Sequence, residues 1–190
     1  MNYGDNEVKA LNKINVFLLI VTCLLLGSYA NAAGVGNTIA VRLVGTGSAY
    51  DGNSLFESFD LAPLDATCFN VDLVDAKTGR VIGSAIDCLS SISSSITDNG
   101  LMLTGTTFFF FPGGTLISQG LTTVQPVLHG SSSFTHITGA IPSAGDNGVI
   151  WGDGKFKNAA GPVRLSGAVD LSQLDSDGLI TFDCVFIIDI

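Results

Sequence analysis

Charge is scarce in this chain. Asp, Glu, Lys and Arg make up only 13% of its residues, against about 25% in typical soluble domains. Glutamate is nearly missing, with Glu7 and Glu57 its two occurrences, and Lys and Arg together number 8. A chain so poor in Glu, Lys and Gln lacks the residues that clothe solvent-facing helices, which argues against a helical fold. The few cations leave a net charge of −9, all of it beyond residue 32, because Asp5 and Glu7 balance Lys9 and Lys13. An acidic surface repels phosphate backbones and excludes nucleic acid as a partner. The 2 histidines, His129 and His136, have no Cys or carboxylate at ligand spacing, so no metal site is expected. Gly47 and Gly52 sit in a Gly/Ser-rich stretch with no P-loop lysine after them, and no phosphate-binding cofactor is expected either. Asn-x-Ser/Thr does not occur in the mature region, which excludes N-glycosylation there.

Long apolar runs are also missing. The longest, residues 16–26 (VFLLIVTCLLL), falls short of the ~20 residues a permanent span needs. Lys9 and Lys13 precede it, and Ala30-Asn31-Ala32 follows it with small residues at −3 and −1. That is a cleavable export signal over 1–32. Cys23 lies inside the run behind Thr22, the wrong place for lipidation, so secretion to an extracellular or periplasmic space is the reading. Cleavage leaves about 158 residues, a common size for one domain with a sizeable core, and no stable membrane span.

What is abundant is Gly, at 23 residues, together with Ser, Thr and β-branched or aromatic side chains. Strand-like stretches are predicted at 38–44, 67–75, 81–89, 101–111, 115–124, 133–139, 149–156, 162–171 and 179–190, with turn signals between them. Pro112-Gly113 suits a type II turn between two of these. The expectation is an all-β chain closing into a single antiparallel barrel. Val163, Leu165, Gly167, Val169 and Leu171 alternate with Arg164, Ser166, Ala168 and Asp170, as a half-buried strand requires. The stretches 108–111 and 182–188 are apolar on both faces and must be covered twice. A lumen covers one side. A second subunit in a homo-oligomer, or more cheaply the segment 38–59, covers the other.

Three cysteines remain after processing. If Ala76 faces Arg80 across the Lys77-Thr78-Gly79 turn, Cys68 falls opposite Cys88, close enough for a disulfide. The competing pairing joins Cys68 to Cys184 where barrel closure brings first and last strands together.

Candidate polar groups are few. Asp72, Asp87 and Asp183 lie in strand patterns, and one facing the lumen would be an acid/base with a raised pKa; the alternative is that they point to solvent. His129 and His136 are either an acid/base pair on paired strands or isolated polar residues near a loop. Trp151, the one tryptophan, lines a cavity or plugs a barrel end. From this set Asp72, Asp183, His136 and Trp151 are taken as candidate ligand-binding residues.

The segment Thr107-Phe108-Phe109-Phe110-Phe111-Pro112-Gly113-Gly114-Thr115-Leu116-Ile117-Ser118-Gln119-Gly120 resembles the central hairpin of dirigent proteins. His136-Ile137-Thr138-Gly139, with the run from Gly152-Asp153-Gly154-Lys155-Phe156 to Gly161-Pro162-Val163-Arg164-Leu165, is similar to a pattern shared by dirigent proteins and allene oxide cyclases. The resemblance spans residues 101–190, with a weaker echo in the Cys68–Cys88 hairpin. It implies an eight-stranded barrel with an apolar lumen, commonly trimeric, and a role in cyclisation or stereocontrol of a reactive apolar substrate. The chain departs from the pattern by an insertion at 140–146, and Glu57 lies ahead of the matched region, so no family catalytic residue carries over. The expected organisation is a signal peptide over 1–32, an N-terminal extension or extra strand over 33–60, and a barrel domain over 61–190. The expected function is binding of a small apolar ligand, with isomerase- or cyclase-type chemistry; the alternative is a non-catalytic module acting through its surface.

Overall fold

A computed structural model describes residues 36–91, 100–127, 133–140 and 147–190. The expected export signal and His129 lie outside the described residues. Ten strands form one antiparallel sheet: β1 (Thr38–Ser48), β2 (Tyr50–Asp51), β3 (Thr67–Asp75), β4 (Val81–Ser91), β5 (Leu101–Phe111), β6 (Gly114–Pro126), β7 (His136–Ala140), β8 (Gly148–Gly152), β9 (Val163–Asp170) and β10 (Leu179–Asp189). Strands β3 to β6 meander, β7 and β8 both pair with β6, and β9 and β10 follow. Strand β1 pairs with β10 from Thr38↔Asp189 to Ser48↔Leu179, and with β3 from Val41↔Asp75 to Val44↔Asp72. That double pairing closes the sheet into an eight-stranded barrel, with β7 and β8 sharing one place in the wall. Closure removes the free edges that an open sheet would expose. No helix among the described residues is long and apolar enough to cross a membrane.

The segment 33–60, expected as an extension or extra strand, thus supplies a strand of the wall itself. Strand β1 also runs past residue 44, into what reads as a Gly/Ser loop. Gly45 and Gly47 lie opposite Phe182 and Ile180, so the partner strand supplies the apolar burial that β1 lacks there. A Cβ at Gly47 would come within 2.8 Å of the Asn70 carbonyl oxygen and 2.9 Å of Phe69 Cβ. Glycine is what lets β1 wedge beside β3, and its lack of strand propensity hid the strand.

Alternation sorts the side chains. In β10 Ile180, Phe182, Cys184, Phe186 and Ile188 are buried, while Asp183, Val185 and Ile187 face outward and are half-buried. Strand β5 has no polar face in its second half. Phe109 points inward and meets the Phe186 ring edge-on at 5.3 Å. Phe108 points outward, where α1 (Asn53–Ser58) covers it. Phe56 packs edge-on against Phe108 at 5.5 Å, and Phe59 lies 5.3 Å from Phe108 and 5.0 Å from Trp151. A second apolar cluster, outside the wall, therefore joins Phe56, Phe108, Ile117 and the two half-cystines. The cover for the doubly apolar strand comes from within the chain.

Cys68 and Cys88 stand opposite each other and are joined by a disulfide with Sγ–Sγ 1.99 Å, leaving Cys184 free and buried. The turn differs from the expectation. Ala76 does not face Arg80; its N–H donates to the Ala40 carbonyl at 3.1 Å, and Asp75 N–H donates to Arg80 O at 2.9 Å. A register shift between Leu73 and Val74 then restores the ladder that brings the cysteines together. Pro112-Gly113 turns as expected, with Gly113 at φ +89°.

Phe56 is fully buried in a six-residue helix that has no side-chain cap, so its ring supplies most of what holds α1 to the wall. Phe56→Ala should cost about 3–5 kcal/mol in urea unfolding, the usual range for a buried Phe. A loss under about 1 kcal/mol would mean α1 is not docked on β5.

Candidate functional site

Inside the barrel the inward residues do not meet at the centre. They line a cavity of about 440 Å³ that opens at one end of the barrel. Phe69, Phe182 and Phe186 supply aromatic wall, and Leu103, Leu165 and Val169 supply aliphatic wall. Concave, mainly apolar space with a few placed polar groups is the usual form of a small-molecule site.

Those polar groups are set by register. Asp87 on β4 lies opposite Thr107 on β5, which lies opposite Ser118 on β6. All three are buried and line the cavity. The Thr107 hydroxyl donates to Asp87 Oδ1 at 2.7 Å. Burial disfavours the ionised carboxylate and pushes the Asp87 pKa up to about 6, against the partly offsetting Thr107 hydrogen bond. Two positions along, on β6 and β7, the Thr122 and Thr138 hydroxyls stand 3.1 Å apart and also line the space.

Cys184 on β10 is a second buried titratable group of the lining. Desolvation, reinforced by the charges of Asp87 and Asp183, pushes its thiol up to about 12. It stays protonated at neutral pH, and only a thiolate is a competent nucleophile. Covalent catalysis through sulfur is therefore not what this lumen is built for.

The four candidate residues chosen from sequence lie elsewhere. Asp72 is exposed on the outer face of β3. Asp183 points outward from β10, where Arg42 donates to its Oδ1 from Nη2 at 2.6 Å and from Nε at 3.2 Å. His136 opens β7, half-buried, with Nδ1 2.8 Å from Thr135 Oγ1. Trp151 packs against Phe59 in the outer cluster. None of the four is among the cavity-lining residues, and the fold does not bring them together. Asp87, weighed beside Asp72 and Asp183, is the aspartate that faces inward. The signal was available: Asp87 precedes Cys88, so it alternates to the face opposite the disulfide, whereas Asp72 shares the parity of Cys68. No group of three or more His, Cys, Asp or Glu among the described residues is placed to hold a metal.

Comparison of the chain with protein-family models, with curated proteins and with solved structures finds no match.

A carboxyl whose folded pKa is raised stabilises the fold relatively at low pH, and that contribution is lost as pH climbs through about 6. Asp87→Asn removes the titration and keeps the acceptor for Thr107. At about pH 8 it should be more stable than the parent by about 3 kcal/mol, the advantage vanishing near pH 4, as urea midpoints would show. A difference that is flat across that range would mean the carboxyl is solvated. Iodoacetamide should leave Cys184 unlabelled in the native protein and label it in urea. Native labelling at the rate of a free thiol would contradict its placement.

Proposed function

We propose that the barrel is a binding chamber for a small, largely apolar molecule, with Asp87 as the buried carboxyl in it able to hold or move a proton. The observation that carries this reading is a buried carboxyl facing about 440 Å³ of mainly apolar space. A lumen serving only as packing would be filled, since each unfilled methyl-sized void costs roughly 1 kcal/mol. Ionised, Asp87 can accept a proton from a bound molecule; protonated, it can donate a hydrogen bond to a developing oxyanion. The Phe and Leu walls exclude water and hold a flexible substrate in one folded shape. Such an arrangement fits isomerase- or cyclase-type stereocontrol, the chemistry implied by the resemblance to the allene oxide cyclase and dirigent barrels. The disulfide fits an oxidising compartment, and with the export signal it supports action outside the cytoplasm.

The alternative, a module acting through its surface, draws on Met102, Leu121 and Ile137, which are 46%, 36% and 50% exposed on β5, β6 and β7. Apolar side chains scattered on a surface are common, and the enclosed carboxyl is the more specific feature.

Native mass spectrometry of protein taken from its own culture medium should show a retained small molecule. A thermal-shift panel of apolar compounds should find ligands that stabilise by about 2.7 kcal/mol at a hundredfold excess over Kd. Neither retained mass nor any shift across neutral, anionic and cationic compounds would end the chamber reading.

A further inference from the structure

Among the described residues, the lumen lining contains acids and no cationic side chain. Of the residues lining the cavity, Asp65, Asp87 and Cys184 are titratable, and none is Lys, Arg or His. Three of the described cations are engaged away from the cavity lining. Arg42 pairs with Asp183, Arg164 pairs with Asp189 at 2.7 Å, and Lys155 lies over the Phe111 and Phe156 rings. The remaining described ones, Lys77, Arg80 and Lys157, sit at the end of the barrel that carries the β3–β4 turn. The opposite end, where β3 and β5 begin and β9 finishes, carries Asp51, Asp65, Asp170, Asp175 and Asp177. Asp65 lines the cavity there and is exposed. His136 also starts its strand at that end. The field along the barrel axis thus draws positive charge toward the mouth and on to Asp87.

Open space lies beside the carboxyl. Gly105 on β5 is one inward position from Thr107 and faces Gly120 on β6. A Cβ built at Gly105 would meet nothing nearer than Thr122 Cγ2 at 3.6 Å, so the backbone and its neighbours do not demand glycine there. Glycine inside a strand weakens it and marks places where something approaches the backbone closely. Here it leaves a flat floor next to the Asp87–Thr107–Ser118 row, facing aromatic walls.

We propose, building on the chamber reading, that the ligand is an organic amine: a protonated nitrogen paired with Asp87 on a flat apolar skeleton lying over Gly105 and Gly120. A buried carboxylate is costly unless a cation pairs with it, and the described lining supplies none. Phe182 and Phe186 line the same cavity, and an aromatic face attracts a cation. Anionic ligands such as fatty acids are excluded by the same inventory. The titratable groups facing Asp87 are Cys184 on β10, which stays neutral, and Asp65 at the mouth, so Asp87 governs the pH dependence.

The test uses one skeleton in three charge states, naphthylmethylamine, naphthylmethanol and naphthoic acid, titrated calorimetrically against the secreted protein. Amine affinity should rise about tenfold from pH 5 to pH 7 as the fraction of ionised Asp87 grows. Naphthoic acid should not bind. Asp87→Asn should weaken the amine at least about thirtyfold at pH 7 and spare the alcohol. Gly105→Val, which blocks the floor and leaves the carboxyl intact, should abolish amine and alcohol binding without lowering the melting temperature. If the alcohol binds as tightly as the amine and Asp87→Asn changes neither, the amine inference falls and the chamber stands. If neither binds and no other compound does, both fall.

Discussion

The insertion of β1 between β10 and β3 is the constraint on which the rest rests. Each strand beyond the first hairpin could pair with its neighbour in an open, twisted sheet, but only the double pairing of β1 turns that sheet into a closed wall. Closure creates an inside. Without it, Asp87 would sit on one face of a sheet within reach of water, and neither its raised pKa nor the silence of the Cys184 thiol would follow. The close approach at Gly47 is therefore a requirement of the lumen as much as of the strand, because a side chain there would push β1 off Phe69 and Asn70.

Closure leaves a second problem on the outside. A barrel wall has two faces, and β5 is apolar on both through Phe108 to Phe111. The lumen takes Phe109; α1 takes Phe108. The short helix is poorly equipped to exist alone, having six residues and no side-chain cap, so it depends on the ring contacts of Phe56 and Phe59. The disulfide lies in that same outer cluster, where it ties β3 to β4 under the cover. Wall and cover thus stabilise each other, and the inner face is left free of any need to pack solid.

Much of this was legible in the residues. Period-two alternation gave the all-β class and most strand positions, and Pro112-Gly113 marked its hairpin. The Cys68–Cys88 pairing was reached through a turn that the chain does not make. Asp75, rather than Ala76, closes opposite Arg80, and a one-residue shift beside Leu73 cancels the error. Bulges leave little trace in composition, so agreement there owed something to compensation. Residues 45–48 read as loop because glycine carries no strand signal, and their pairing with Ile180 and Phe182 is a tertiary effect that no local pattern contains. The site was harder still. Asp72, Asp87 and Asp183 look alike in isolation, and only the parity relation to the disulfide and to Phe182, Cys184 and Phe186 separates inside from outside. Trp151 went to the outer cluster because β8 meets β6 through a register irregularity at Ile117/Ser118.

The lumen sets aside the packing rules of a core along one contiguous strip. A carboxyl stands where an aliphatic side chain would pack, two hydroxyls extend it across adjacent strands, and two glycines leave the neighbouring row bare. Each choice weakens the core: a buried acid resists ionisation, buried hydroxyls need partners, and strand glycines forgo both propensity and contacts. Scattered through a barrel, such departures would be faults of packing. Contiguous on β4, β5 and β6 and facing the same open space, they form a polar strip with room beside it, bounded by Phe and Leu on the remaining wall. Local rules that fail together at one spot, while holding elsewhere, are the physical mark of a site kept open at the expense of stability. That contiguity, more than the depth of the pKa shift, is why the interior reads as a chamber and Asp87 as its anchor.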